Sequence, residues 1–478
     1  MVTFLTSPRT APELRRSLWR LQGFQFLNGI NFTIALGAPM VLAARALGAG
    51  EALIGTLVSF TPFMVLLQAL AVNAAERHGH RRLVLAGWGT RSFMILLVAP
   101  LPLLGRWLPA PVSLGILAAL LLAFNIIRGY TAIGWLPWIS RVVPEHLRGQ
   151  YFGREQLFVN AGVLLALAGS GQFLRLVDGA WKYSVLFLLC WLAGLGSVRF
   201  LAGVPAATTG VAQPAAKAAR RVGELLAACR TVLACQPFRR LMGFVALNNL
   251  ALAAFPGFLL LFQKDGLRMA EGSILLLAGC GTLGALLTGL FWGAFTDRHG
   301  SRPVLRLGGV GQLAVLGVWT LVAARLLPAP GALGVAAMYF LYGAVSAAVA
   351  IPQAKLMLAF CPKQELTVGA TLHGMAAALC AGLAPLLWGL ALEDLNRRAG
   401  AGATWPFALF FGTSAGLAVL AQLFLTRIRE QGVPPTYQVM VGLVRGWPWR
   451  VVANTGIFGH NHAPRAAAAA AAADSAGR

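Results

Sequence analysis

Four ionisable side chains within long apolar stretches of this chain could do chemistry. Arg91 and Arg128 lie well inside such stretches, and Glu155 and His373 are the carboxylate and the histidine found there. A guanidinium in an apolar setting binds carboxylate or phosphate through charge-assisted hydrogen bonds. Glu155 and His373 could couple another process to proton uptake. The structural alternatives stay open: Arg128 could bond backbone carbonyls, His373 could be a hydrogen-bonded helix residue, and Arg91 is expected to be structural or to snorkel.

Amide and phenol side chains form a second group of candidates. Asn28 and Asn31 lie near the middle of the first predicted helix, and Asn248 and Asn249 near the middle of the seventh. Such amides can bind a polar solute, or they can bond one helix to another for about 0.6 kcal/mol each. Both interpretations stay open. The further candidates for solute contact are Asn125, Tyr130, Asn160 and Tyr342.

None of these residues forms an enzyme pattern. The apolar stretches contain no HExxH, no paired carboxylates and no nucleophile beside a base at a helix centre. We therefore expect no catalytic residues, no metal site and no cofactor. The glycines at 279, 281 and 284 imitate a dinucleotide-binding motif, but no strand precedes them. They are better explained as a small-residue face for helix packing.

Membrane helices must position these side chains. The chain has 478 residues, of which 58% are hydrophobic and 11% charged, whereas about a quarter of the residues of a soluble domain are charged. Apolar runs of the roughly 20 residues that cross a bilayer recur along the chain. We predict an all-α, polytopic membrane protein with twelve transmembrane helices. They fall near 18–43, 52–74, 83–104, 113–138, 152–174, 183–203, 239–263, 273–295, 303–326, 331–357, 366–391 and 405–426.

The net charge of +24 comes from basic residues placed in alternate short connections. This placement is typical of cytoplasmic loops, so both termini are expected in the cytoplasm of a multi-pass protein of the cell (inner) membrane. No basic stripe with interleaved aromatic residues is present, which argues against nucleic acid. The expected partners are a small-molecule solute, the lipid bilayer and, at the basic loops, anionic lipid headgroups. The six cysteines include no CxxC, and no disulfides are expected.

The predicted helices divide the chain into two halves. Residues 1–17 form a cytoplasmic N-terminus, 18–203 a first six-helix bundle, 204–238 a cytoplasmic linker, and 239–427 a second six-helix bundle. Residues 428–478 form a basic cytoplasmic tail that we expect to be partly disordered. No removable signal peptide is expected at the start.

The two halves repeat one another. The hexapeptide from Glu76 to Arg81 recurs from Asp297 to Arg302, 221 positions later (297 − 76), and each copy separates two apolar runs. Asn28 pairs with Asn248 at an offset of 220 (248 − 28), and position 91 pairs with 312 at 221 (312 − 91). An even number of spans per half gives both copies the same orientation, related by an axis along the membrane normal.

The repeated loop resembles a signature of the major facilitator superfamily, G-x-x-x-D-R-x-G-R-R. The second copy, Gly293 to Arg302, fits well, whereas the first departs at Asn73, Glu76 and His80. The resemblance covers residues 12 to 427 and implies two pseudo-symmetric six-helix bundles. It further implies that this loop is a gating latch, that Arg128 lies on a cavity-lining helix, and that the first and seventh helices face each other. The gating residues would be Glu76, Arg77, Gly79, Arg81, Gly293, Asp297, Arg298, Gly300 and Arg302.

The resemblance implies a secondary or facilitative transporter that works by alternating access. A cation such as Arg128 without an evident acidic partner favours an organic anion among small polar solutes. Two alternatives stay open. One is an exporter of amphipathic compounds, and the other is a non-transporting receptor or assembly protein with the same fold.

Overall fold

A computed structural model describes residues 12–71, 79–179, 181–207, 222–400 and 402–426. Within these ranges twelve helical segments are long and apolar enough to cross a membrane, and no residue there forms a strand. The prediction of an all-α membrane protein is confirmed. We number the segments α1 to α12: Pro12–Ala46, Glu51–Gln68, His80–Leu104, Ala110–Ala132, Glu145–Leu176, Trp181–Ala202, Gln236–Gly266, Glu271–His299, Ser301–Ala323, Ala332–Phe360, Lys363–Ala399 and Trp405–Thr426.

The segments differ from the predicted spans where the backbone bends. The fourth span was predicted to run over 113–138, but α4 ends at Ala132 and a separate helix, Trp135–Val142, follows. The break falls at Gly134, where a Cβ atom would lie 3.0 Å from the carbonyl oxygen of His80. Glycine therefore allows this turn to approach the start of α3, and an apolar run alone does not reveal such an approach.

The two halves pack in the same pattern. In the first half, α1 packs on α5 and α6, and α3 packs on α4 and α6. In the second half, α7 packs on α11 and α12, and α9 packs on α10 and α12. Adding six to each helix number of the first half gives the packed pairs of the second half. The sequence repeat therefore corresponds to two bundles of six helices with one architecture.

The most extensive contacts between the bundles are those of α2 with α11 and of α5 with α8. Glycines allow both contacts to be close. A Cβ atom at Gly55 would lie 2.2 Å from the carbonyl oxygen of Pro385, and one at Gly171 would lie 2.8 Å from that of Gly272. Such distances exclude a side chain at Gly55 without movement of the helices. The close contacts hold the bundles together near one end of the molecule.

The linker begins and ends as ordered structure. Side chains of the first bundle bond the backbone at its start, since Arg20 donates to the carbonyl of Gly203 and Trp138 Nε1 donates to that of Pro205 at 2.9 Å. Its described end is the helix Val222–Ala234, which packs on the start of α11 through Ala228 and Val232. The second bundle starts at Gln236, three residues before the predicted 239. Residues 208–221 and the tail 428–478 lie outside the described ranges.

Candidate solute-binding crevice

The two ends of the bundles differ in their contacts. We call the end that holds Gly79, Gly300, Pro12 and Thr426 the motif end, and the end that holds Glu51, Glu271 and Gly400 the distal end. The close contacts of α2 with α11 and of α5 with α8 both lie toward the distal end, beside Glu51 and Gly272. The crevice between the bundles is therefore closed there by packed backbone.

Polar contacts reinforce this closure. Arg45 of α1 pairs with Asp265 of α7 at 2.9 Å, and Lys182 of α6 pairs with Glu271 of α8 at 2.7 Å. The Glu393 carboxylate of α11 accepts a hydrogen bond from the Ala52 backbone N–H at 2.9 Å, in the first turn of α2. A carboxylate at a helix N-terminus is favourable because the first N–H groups have no partner within the helix. Each contact joins one bundle to the other.

At the motif end, the repeated loop has the same geometry in both halves. Gly79 and Gly300 have φ angles of 79° and 88°, which favour glycine. Arg81 donates to the Ala202 carbonyl at the end of α6 (2.6 Å), and Arg302 donates to the Thr426 carbonyl at the end of α12 (3.1 Å). The repeat therefore ties the start of its third helix to the end of its sixth.

The acidic residue of the proposed latch pairs within its own bundle. Asp297 pairs with Lys355 of α10, in its own bundle, at 2.8 Å. Arg298 lies in the last turn of α8, and a Cβ atom at Gly293 would meet nothing within 4 Å. Glu76 and Arg77 fall outside the described residues. The gating assignment stays a prediction.

In the first bundle, Arg91 is enclosed rather than snorkelling. It is 1% exposed, its Nη2 donates to the Asn28 side-chain oxygen at 2.6 Å, and its guanidinium carbon lies 4.1 Å from the ring centroid of Trp88 and 4.6 Å from that of Phe32. Its Nε and Nη1 atoms are buried without a hydrogen-bond partner. Arg91 therefore places positive charge inside the bundle.

Arg128 also lies beside the Phe32 ring and is less enclosed than Arg91. Its guanidinium carbon is 5.4 Å from the Phe32 ring centroid, and its Nη1 donates weakly to the Thr61 carbonyl at 3.3 Å. Thr61 also donates through its hydroxyl to the Asn125 side chain at 3.0 Å. No carboxylate pairs with Arg128 in the described structure. The first bundle thus presents a half-buried cation bonded only to a neutral carbonyl.

The second bundle presents a neutral polar wall. A cavity of about 430 Å³ is bounded by α7, α9, α10 and α11. Its polar side chains are amides, hydroxyls and one imidazole, and no carboxylate, lysine or arginine lines it in the described part of the chain: Asn248, Asn249, Gln312, Tyr342, Ser346, Gln353 and His373. The Gln312 side-chain oxygen is buried without a hydrogen-bond partner. This wall can donate and accept hydrogen bonds without adding charge.

Glu155 and His373 occupy equivalent places in α5 and α11, because they lie 218 positions apart (373 − 155), as do the starts of the two helices, Glu145 and Lys363 (363 − 145). Glu155 accepts a hydrogen bond from Gln25 of α1, and its second oxygen is buried without a partner. His373 Nε2 lies 3.3 Å from the side-chain nitrogen of Gln353. Glu155 lies deeper than the single turn expected, because α5 begins at Glu145 rather than near 152.

Two predicted residues, Asn31 and Tyr130, lie apart from these walls. Asn31 is 1% exposed and donates to the Cys190 carbonyl of α6 at 2.9 Å. Tyr130 is 39% exposed and lies two residues, or about 200°, around α4 from Arg128. Asn160 is half-buried on α5. The structure thus groups Asn28, Asn125 and Arg128 in one bundle and Asn248, Asn249 and Tyr342 in the other.

Sequence reasoning missed Gln312, Gln353, Ser346 and Thr61 as crevice residues. The repeat held the signal for Gln312, which takes the place of Arg91 in the second half. Because Asn28 corresponds to Asn248, the bonded pair Arg91–Asn28 has a neutral counterpart in Gln312 and Asn248. No comparable signal marks the others, since polar residues recur throughout the helices.

Solved structures share this arrangement. A bacterial homologue of the human lysosomal transporter Spinster, solved in an inward-facing and unoccupied conformation, matches with a TM-score of 0.65 and 15% identity over 89% of this chain and 100% of that one. A mutant of the nucleoside transporter NupG gives 0.68 and 14% over 86% and 100%. A D-xylose–proton symporter gives 0.66 and 17% over 88% and 98%. The chain has the major facilitator fold.

No protein-family model and no curated protein matches the sequence. At identities of 14–17%, the likeness of these major facilitator structures establishes the fold and not the solute. In this chain the first bundle holds Arg128 beside Phe32, and the cavity in the second bundle has a neutral, amide-rich lining.

Proposed function

We propose that the protein is a membrane transporter that carries a small polar solute by alternating access. The observation that carries this proposal is the asymmetry of the two ends. Packed glycines and ion pairs close the distal end, whereas the described motif-end ion pair, Asp297–Lys355, stays within one bundle. Rocking the bundles about the crevice would exchange these states.

The sidedness follows from the basic loops. The loops at the motif end contain Arg81, Arg141 and Arg148. Because basic loops favour the cytoplasmic side, this end would face the cytoplasm in a cell (inner) membrane. The structure would then represent the inward-facing state, with both termini cytoplasmic. The same loops would meet the anionic headgroups of that leaflet.

The solute is an organic anion that also carries hydroxyl groups. Arg128 supplies a cation bonded only to a neutral carbonyl, and it would bind a carboxylate or phosphate through charge-assisted hydrogen bonds. The amides Asn248, Gln312 and Gln353 would bond neutral hydroxyl groups on the opposite wall. A solute with an anionic group at one end and several hydroxyl groups along the rest would match both walls.

A matched set of compounds tests this proposal. Gluconate has both features, glucose lacks the charge, and hexanoate lacks the hydroxyl groups. We expect gluconate to raise the thermal unfolding midpoint of the purified protein most, because stabilisation grows with ligand concentration over Kd. Uptake of radiolabelled gluconate into proteoliposomes should follow the same order. Equal or greater stabilisation and uptake with glucose would refute the anion assignment, and no uptake of any of a wider metabolite set would refute transport.

Coupling to protons is the part of the proposal that rests on Glu155 and His373. Glu155 lies on α5 and His373 on α11, and both helices contact the other bundle. Each residue contacts a glutamine of a neighbouring helix, Gln25 or Gln353. We expect Glu155→Gln and His373→Gln to abolish stimulation of uptake by an inward proton gradient while solute exchange persists. Stimulation that survives both substitutions would show that coupling uses other residues, and no stimulation of the unsubstituted protein would indicate a facilitator.

A further inference from the structure

A second cavity lies at the motif end of the first bundle, away from the crevice walls. Its volume is about 260 Å³, and its lining comes from the start of α3, the helix Trp135–Val142 and the start of the linker. Arg81, Arg82 and Arg141 all line it, and no carboxylate does so among the residues the structure describes. We call it the arginine pocket.

The charges in the arginine pocket are not neutralised by the contacts that the structure gives them. Arg81 donates to the carbonyls of Val204 and Ala202, at 2.9 and 2.6 Å, and these acceptors carry no net charge. The Nε atom of Arg141 is buried without a hydrogen-bond partner. Three guanidinium groups around one small cavity repel one another, so an anion in the cavity would lower the energy.

The N-terminus of α3 adds to this positive potential. Gly79 is the N-cap of α3, whose first uninterrupted helical run is His80–Val98, and it provides no side-chain hydrogen bond to the first turn. The first N–H groups of a helix lack partners within it and carry partial positive charge. Such a terminus favours an anion, and the adjacent Arg81 and Arg82 place full charges beside it.

The rim of the arginine pocket is fixed before any ligand binds. Trp138 is 1% exposed and bonds the Pro205 carbonyl, and Arg20 bonds that of Gly203. These contacts hold the start of the linker against the first bundle, where Ala206 completes the lining. A preformed site loses little conformational entropy when its ligand binds.

We propose that the arginine pocket binds the phosphate group of an anionic ligand, either a lipid headgroup at the membrane surface or a free phosphate ester. The planar fork of arginine fits phosphate oxygens, and several forks can share the oxygens of one phosphate. The site is separate from the crevice and does not depend on which solute crosses the membrane.

Titration of the full-length protein in neutral detergent tests this inference. The probes are glycerol 3-phosphate, and mixed micelles of phosphatidylglycerol compared with phosphatidylcholine, at constant ionic strength set with chloride. The readout is the thermal unfolding midpoint. We expect saturable stabilisation by one probe, weakened about tenfold or more in Kd by Arg82→Gln and by Arg141→Gln, as loss of a hydrogen bond to a charged group implies. Arg82→Lys should keep most of the affinity.

Two control variants locate the effect. Arg106→Gln removes an exposed charge at the distal end and should not change binding of either probe. Glycerol 3-phosphate also has the features proposed for the crevice solute, so its titrations use an Arg128→Gln background, which removes the crevice cation. Stabilisation by glycerol 3-phosphate would identify a free ester, and stabilisation by phosphatidylglycerol alone would identify a headgroup. No stabilisation by either probe in that background, or equal weakening by Arg106→Gln, would overturn the inference. Since Arg82 is exposed, its variants keep the test decisive if Arg141→Gln does not fold.

Discussion

At the scale of single residues, two arginines of similar sequence setting have different surroundings. Arg91 is 1% exposed, bonds Asn28 and lies against aromatic rings, whereas Arg128 is half-buried and bonds one carbonyl weakly. Both lie beside Phe32, so Arg91 adds to the positive potential that a solute near Arg128 would meet. The sequence predicted that both lie within the membrane. Their partners come from neighbouring helices, and a single sequence does not reveal which side chains meet.

The first prediction concerns Arg128. Arg128→Gln should weaken binding of an anionic solute by about 10- to 100-fold, because a hydrogen bond to a charged group contributes about 1.5–3 kcal/mol. Arg128→Lys should retain part of the affinity, since it keeps the charge and loses the fork. Thermal-shift titrations with gluconate measure both. Unchanged gluconate affinity in a folded Arg128→Gln protein would show that the anion binds elsewhere, and Arg106→Gln controls for loss of net charge.

At the scale of helices, glycine pairs decide how closely the bundles approach. Gly171 and Gly272 put the backbones of α5 and α8 in contact, and Gly55 does the same for α2 on α11. The sequence predicted where the helices lie, to within a few residues at most ends. It did not predict that these glycines meet across the bundles, because the contact joins helices far apart in the chain. Asp265 and Glu271, which lie near the loop between α7 and α8, also join the two halves through ion pairs with Arg45 and Lys182.

The second prediction concerns this approach. Gly171→Val should open the distal end, because its Cβ would lie 2.8 Å from the Gly272 carbonyl oxygen. Gly169→Val is the matched control, since a Cβ at Gly169, two residues away on α5, meets nothing within 4 Å. Modification of a cysteine introduced at Leu276, which packs against Gly171, by a membrane-impermeant maleimide measures the opening. Faster modification with Gly171→Val than with Gly169→Val is expected, and equal rates would contradict the steric argument.

At the scale of the whole molecule, internal duplication explains the fold. Duplication alone does not reveal the function, because the two halves differ in their polar residues. The repeat predicted two bundles of one architecture, and the packing of α1–α6 matches that of α7–α12. The two halves differ in their polar groups, since Arg91 in one corresponds to Gln312 in the other. Together with Arg128, that difference makes the first bundle cationic, whereas the cavity in the second bundle is neutral. It could be read from the aligned repeat only once the structure had placed both residues beside the corresponding asparagines.

Distances across both ends of the molecule test alternating access most directly. After replacement of the six native cysteines, one spin-label pair at His146 and Gln364 would span the motif end, and another at Arg106 and Leu326 the distal end; all four sites are exposed. We expect pulsed electron–electron double resonance to show that Gly171→Val lengthens the distal distance and shortens the motif-end distance relative to Gly169→Val. Distances that stay fixed at both ends, or that lengthen together, would contradict a crevice open to one side at a time.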